Sequence, residues 1–277
     1  MSLTGLPGRA RRLPFVWIMG GLLLALAGLL LLRSAVDGGF GASSETPGAT
    51  TSISPPPAST RTPEPAASLV APPPCSFEDR PTARSAYEDW AVTLLDTTFR
   101  LDREYAPPDL AAAELAGFAS GFLVRELLVE DLASLRAAAE RSGNPVALIA
   151  AYRTYEEQSQ LFELREAQLG HEVALRRVAR PGHSEHQLGT AVDFKTPGAA
   201  DVTAAWASTP QGRWMEANAH RFGFVESYPS GQEALTCYAY EPWHYRYVGR
   251  EFASAVQASG LTLREYLWHW QETGSPP

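Results

Sequence analysis

Pro181-Gly182-His183-Ser184-Glu185-His186-Gln187-Leu188-Gly189-Thr190-Ala191-Val192-Asp193-Phe194 is the stretch on which the fold turns. Two glycines bracket a polar segment, as where a backbone bends sharply, and Thr190 to Phe194 then reads as a short buried strand. Working outward from it, Phe224 to Tyr228 and the aromatic, alternating Tyr240 to Val248 are further strands, the latter with Pro242 near its start. Between them Thr209-Pro210 opens a helix that should stop near Gly223, because Pro suits the first helical position and Gly the position past the end. Upstream, Val146 to Tyr152 is a strand after Asn144-Pro145, and Thr154 with Glu157 forms a capping box for a helix to about Gln168. Helices are expected over 82–100 and 126–141, the second with Leu128, Leu132, Leu135 and Ala139 on one face and Gly143 as a stop. Thr262 and Glu265 cap a last helix carrying Leu267, Trp268 and Trp270. Connections such as 228–240 are too short for helical crossovers, so the pattern predicts an α+β domain: a mostly antiparallel central sheet flanked by helices.

The whole chain has 277 residues, 45% of them hydrophobic, with 23 Lys+Arg against 31 Asp+Glu. That is too apolar for a disordered protein. Residues 75–277 hold 18 basic against 28 acidic side chains, a net of −10. Such a domain is a poor match for nucleic acid, whose binding rests on cationic contacts to phosphate. Leu13 to Leu32 is a run of 20 uncharged residues, about 30 Å as a helix and so long enough to cross a bilayer. Arg9, Arg11 and Arg12 precede it and only Arg33 follows, which keeps the N-terminus in the cytoplasm and sends the rest outward. The expected organisation is a cytoplasmic N-terminus (1–12), a transmembrane anchor (13–33), a disordered Pro/Ser/Thr-rich linker (34–74) and an extracytoplasmic domain (75–277). A long cleaved signal peptide is the alternative to a retained anchor. The protein is then single-pass in the cell membrane, with the domain outside. Cys75 and Cys237, the two cysteines, both fall on the exported side, where disulfides persist; they read as a disulfide, or else as two buried free thiols.

The chemistry concentrates around two histidines. A catalytic zinc site needs three N, O or S ligands and one open position for water, and His186, Asp193 and His244 supply an N, O, N set. Taken singly, His186 reads equally as a turn cap and His244 as a hydrogen-bonded strand residue. Asp193, however, stands in an otherwise apolar strand, where an unpaired carboxylate is costly. In an unbroken strand Glu241 and His244 would face opposite ways. Pro242 lets the chain bend there and bring both to one side. Glu241 then suits a general base beside a zinc-bound water, or alternatively a surface salt bridge with Arg246. Arg153, after a strand and before a helix, fits either an oxyanion-stabilising cation or a routine strand-end ion pair. Trp243 and Tyr245 share a strand face as core or pocket wall.

Ser184-Glu185-His186-Gln187-Leu188-Gly189-Thr190-Ala191-Val192-Asp193 resembles the SxHxxGxAxD motif, and Glu241-Pro242-Trp243-His244 the ExxH/EPWH motif, of the VanY-type zinc D-alanyl-D-alanine carboxypeptidases. Ala151 to Gln158 looks like the segment that precedes the first motif. The likeness runs from about Val146 to Gly249, within a wider group that includes D,D-dipeptidases and the hedgehog signalling domain. It implies that Zn2+ is bound by His186, Asp193 and His244, that Glu241 is the base, and that Arg153 stabilises the oxyanion. Gln158, Ser184 and Trp243 become substrate-binding candidates, with His183 a weaker one in the motif's flank. The implied activity is removal of the terminal D-Ala from peptidoglycan stem peptides by zinc-activated water. The alternatives are an L,D-carboxypeptidase acting on tetrapeptide stems and a non-catalytic wall-binding module of the same fold. Ser227-Tyr228-Pro229 departs from the Arg that many relatives carry before Tyr-Pro. Cys237 lies where a small residue is common.

Overall fold

The computed structural model describes residues 69–277. In chain order the strands are β1 (Arg80–Pro81), β2 (Phe99–Arg100), β3 (Leu110–Ala112), β4 (Leu123–Arg125), β5 (Ala147–Ala150), β6 (Ala191–Lys195), β7 (Phe224–Glu226) and β8 (His244–Tyr247). The helices are α1 (Val129–Arg141), α2 (Tyr155–Leu169), α3 (His171–Arg177), α4 (Pro210–Asn218), α5 (Glu233–Thr236), α6 (Arg250–Ser259) and α7 (Leu263–Thr273). Four strands form the central sheet in the order β5-β6-β8-β7, every pairing antiparallel. β3 and β4 make a separate antiparallel pair, and β1 and β2 a short parallel one.

Alternation gives the sheet two unlike faces. Val192 and Phe194 of β6 and Tyr245 and Tyr247 of β8 point into the main core, against Leu128, Leu132 and Leu135. Asp193 and His244, paired across β6 and β8, point the other way, as do Ala191 and Arg246. The apolar face thus anchors a sheet whose opposite face carries polar side chains at fixed register. A second cluster packs Val256 of α6 and Leu263, Tyr266 and Leu267 of α7 against Leu94 and Phe99.

Helix ends follow the local chemistry. Thr154 and Thr262 each accept from the backbone N–H three residues on, and Glu157 and Glu265 reach back to the cap, completing both capping boxes. Thr209 caps α4, and Gly223 at φ +88° closes the 3-10 turn that follows it. Two expectations are corrected. Residues 82–100 form one short 3-10 turn, irregular chain and β2. Asp96 Oδ1 accepts from the Thr98 and Phe99 N–H groups at 2.7 and 2.8 Å, so side-chain bonds replace the helical ladder there. The strand expected from Tyr240 begins only at His244. Glu241 to Trp243 form a turn closed by a His244 N–H to Glu241 C=O bond of 3.0 Å. α3 and α6 carry no strong cap signal and were not expected. Cys75 and Cys237 form a disulfide. The proposed anchor (13–33) and nearly all of the linker lie outside the described residues; among the described residues no helix is long and apolar enough to cross a membrane.

Candidate active site

Ser184 opens a single 3-10 turn, Glu185–Leu188, by accepting from the His186 N–H; Gly189 at φ +71° ends it and turns the chain into β6. Gly182 is required for a different reason: at φ +86°, a Cβ there would meet the Leu101 carbonyl at 2.9 Å. These two turns bring His186 over the polar face of the sheet beside Asp193 and His244.

His186 Nδ1 lies 2.8 Å from the Ala151 carbonyl. That acceptor takes the ring proton and leaves the Nε2 lone pair free, 3.4 Å from Asp193 Oδ1. His244 Nδ1 lies 3.0 Å from the same carboxylate oxygen. The three donor atoms fall within 4.8 Å of one another. Ligands about 2.0 Å from a tetrahedral zinc stand roughly 3.3 Å apart, so the two short separations suit one such ion.

Behind the triad stands a carboxylate. Glu185 Oε2 is 2.9 Å from His244 Nε2 and accepts from the Ser227 hydroxyl at 2.6 Å. Its Oε1 accepts from Arg246 Nη1 at 2.9 Å, and Arg246 Nη2 donates to the Trp90 and Thr93 carbonyls. A carboxylate on the non-ligating nitrogen of a metal histidine fixes the ring and raises its basicity.

The electrostatics follow from burial and these partners. Burial and the Arg153 cation hold the His186 pKa down to about 4, so its ring is neutral. Burial also opposes a charge on His244, but Asp193 and Glu185 outweigh it and lift its pKa to about 10. Glu185 is held down to about 2 because Arg246 and His244 overcome its desolvation. Asp193 is lowered too, with His186 and His244 overcoming burial. Burial pushes Glu241 up to about 8, His244 pulling the other way. These are properties of the side chains alone; a cation among them reverses the local logic by favouring carboxylates and neutral rings.

A cavity of about 630 Å³ opens over the triad, and Arg153, Gln158, Ser184, Glu241 and Trp243 line it. The ion pair between Glu241 and Arg246 is not formed, because Glu185 occupies that guanidinium. Arg153 likewise makes no strand-end ion pair: its Nε is buried without a partner, and burial lowers its pKa against the pull of Asp193 and Glu241. Gln158 Nε2 donates to the Ala179 carbonyl at 2.5 Å while its Oε1 has no partner. His183 stands elsewhere, fully buried between the Asp96 carbonyl and Asp79. Glu185, Arg246 and Ser227 escape a reading of the sequence. The one available signal was alternation, which puts Arg246 two residues from His244 on the same face. Tyr228, whose ring lies 4.9 Å from that of His244, also joins the cavity wall.

A profile of the VanY family, described as D-alanyl-D-alanine carboxypeptidase, matches residues 122–250. A D-alanyl-D-alanine carboxypeptidase of Enterococcus faecalis (strain ATCC 700802 / V583) is 32% identical over 189 residues, 65% of this chain and 66% of that protein. Among solved structures, the LdcB LD-carboxypeptidase is 34% identical, with a TM-score of 0.59 over 64% of this chain and 85% of that one. A mutant of the vancomycin-resistance D,D-pentapeptidase VanY, from the VanB-type cassette and in complex with Zn(II), is 32% identical. Its TM-score is 0.56, covering 64% of this chain and 99% of that one. The chain spans 66% of the length of the first curated relatives it matches.

Proposed function

Because this chain belongs to the VanY family of D-alanyl-D-alanine carboxypeptidases, we propose that it is a zinc-dependent D,D-carboxypeptidase that removes the terminal D-Ala from peptidoglycan stem peptides. The observation that carries the reading is the convergence of His186, Asp193 and His244 within 4.8 Å on the floor of a cavity walled by Glu241 and Arg153. These three residues would hold the ion, which when bound would supply a Lewis acid to polarise the carbonyl and bring the pKa of a water toward ~7. Glu241 takes the proton of the attacking water and passes it to the departing amine. Arg153, an unpaired cation in the same wall, meets the negative charge that develops on the carbonyl oxygen. Gln158 offers its open Oε1 to a substrate N–H, Ser184 shapes the turn beneath, and Trp243 closes one side. Glu185 keeps the His244 ring in place.

The disulfide and the apolar run at 13–32 support a place outside the cytoplasmic membrane, with a single N-terminal helix as anchor and the linker as its reach. An L,D-carboxypeptidase acting on tetrapeptides is the second reading, favoured by the likeness to LdcB. Full-length protein incubated separately with pentapeptide and tetrapeptide stems separates the two. D-Ala released from the pentapeptide, with about one zinc per chain and loss of activity on chelation, is expected. Release from the tetrapeptide alone moves the assignment to the second reading, and tight peptide binding without any cleavage leaves only a wall-binding module.

A further inference from the structure

The cavity over the metal triad is larger than the two-residue end of a D-Ala-D-Ala peptide requires, and it does not stop at its own rim. A second cavity of about 460 Å³ adjoins it; Arg177, Tyr238 and Ala239 line both. In a carboxypeptidase only one residue lies beyond the scissile bond, so whatever occupies the outer part of the cleft is the peptide on the amino-terminal side.

Carboxylates stand at that outer part too, Glu172 and Glu233 in the second cavity and Asp201 in the first, but what sets it apart is arginines that none of them ion-pairs. Residues 75–277 carry a net of −10, and arginines at many other positions are matched to carboxylates: Arg125 to Asp109, Arg180 to Asp79, Arg246 to Glu185, Arg250 to Asp131 and Arg264 to Asp96. The cavity instead gathers guanidinium groups without such partners. Arg153 is the deep one. Among the described residues the Arg165 side chain, on α2, hydrogen-bonds only the Gln168 side chain, and that of Arg177, on α3, has no hydrogen bond or ion pair. Both are exposed at the rim. Arg176, beside Arg177, places its charge over the Phe77 ring instead. The nearby Asp201 is engaged with the Val202 N–H and pairs with neither. Position at the end of α3 favours a cation at 177 through the helix dipole, but it does not explain Arg165, which sits mid-helix on α2.

We infer that Arg165 and Arg177 form a carboxylate-recognition subsite, so that the enzyme prefers stem peptides carrying a free carboxylate upstream of the scissile bond over the same peptides with that group amidated. The inference rests on the carboxypeptidase reading above and deepens it. Guanidinium groups suit the task because their forked donors match a carboxylate in charge and geometry. Their exposure limits the gain to that of surface pairs and makes it sensitive to salt.

The test uses zinc-loaded full-length protein and two peptides ending in D-Ala-D-Ala, identical except that one upstream acidic side chain is a carboxylate in one and its carboxamide in the other. Expected is a kcat/KM about two- to fivefold higher for the carboxylate peptide at low salt. The difference should lie in KM and shrink as ionic strength rises to about 0.5 M. In an Arg165→Gln/Arg177→Gln double variant the ratio falls toward one, whereas Arg141→Gln, an exposed arginine away from the cleft, keeps it. Equal kcat/KM for the two peptides, or a preference that survives in the double variant, overturns the inference and leaves the carboxypeptidase reading standing. If neither peptide is cleaved, that reading fails, and calorimetric binding of the two peptides decides the subsite: carboxylate-dependent binding lost in the double variant supports it, and indifferent or absent binding ends it.

Discussion

Glu185 uses both carboxylate oxygens, on His244 and Ser227 with one and on Arg246 with the other, and all four side chains are buried. A carboxylate so placed orients the His244 ring from the side away from Asp193. Glu185→Gln keeps much of the shape but removes the charge, and zinc affinity is expected to fall about 10- to 100-fold, read by competition with a chromophoric chelator. Undiminished affinity would mean that Glu185 serves Arg246 alone. Glu241 lines the cavity over the triad, where the proposed mechanism makes it the base. Glu241→Gln is expected to lower kcat for D-Ala release about 10²- to 10⁴-fold while the zinc content stays near one per chain. A variant that lost zinc as well would point to a ligand instead of a base. That His186, Asp193, His244 and Glu241 meet around one cavity was legible in part from turn glycines, a carboxylate in an apolar strand and a proline beside Glu241, each of which breaks a local rule, and in full only from the two motifs shared with the VanY-type enzymes. Glu185, Ser227 and Arg246 were not, since their contact depends on β6, β7 and β8 meeting in one register, which no local pattern fixes.

At the scale of elements, what the sequence revealed were boundaries with their own chemistry. The capping boxes at Thr154 and Thr262 set the starts of α2 and α7, and Thr209-Pro210 that of α4. Segment 82–100 departs from the expected helix because Asp96 Oδ1 takes the Thr98 and Phe99 N–H groups, a local bond that competes with helix; Arg264, 168 residues away, then holds Asp96 in place. β7 carries a cost that shows in pH. Glu226 pairs in register with Tyr245, and burial, with the Glu216 charge adding to it, raises its pKa to about 7 from an ordinary 4.5. The fold therefore favours the protonated carboxyl. That contribution is complete below pH 4.5, where both states are protonated, and is lost as the pH rises through 7, where the native group must ionise against its surroundings. Glu226→Gln is accordingly expected to change stability little at pH 4 and to raise it by about 2 kcal/mol at pH 8.5. Denaturant melts at the two pH values measure the difference, and a gain equal at both would mean packing, not charge, is responsible.

Across the molecule, the first described residues are tied to its last helix and to the loop that carries Glu241. Val70 N–H donates to His269 Nδ1, and Arg264 bonds the Pro73 and Leu235 carbonyls together with Asp96. The Cys75–Cys237 bridge closes a loop with a sequence separation of 162. On the chain-entropy account a loop of that length stabilises the fold by about 5 kcal/mol, which for a domain of this size is about 10–20 °C in Tm. Cys237 is four residues from Glu241, so loss of the bridge could in principle displace that side chain. The backbone argues otherwise: Cys237 N–H donates to Glu233, Ala239 to Arg176 and Glu241 to Tyr228, at 3.0, 2.8 and 3.1 Å, and none of these bonds passes through sulfur. A Cys75→Ser/Cys237→Ser variant is therefore expected to melt well below the parent yet keep its kcat at temperatures where it is fully folded. A kcat that fell there too, with zinc content unchanged, would show that the bridge acts on the native cleft and not mainly on the unfolded chain.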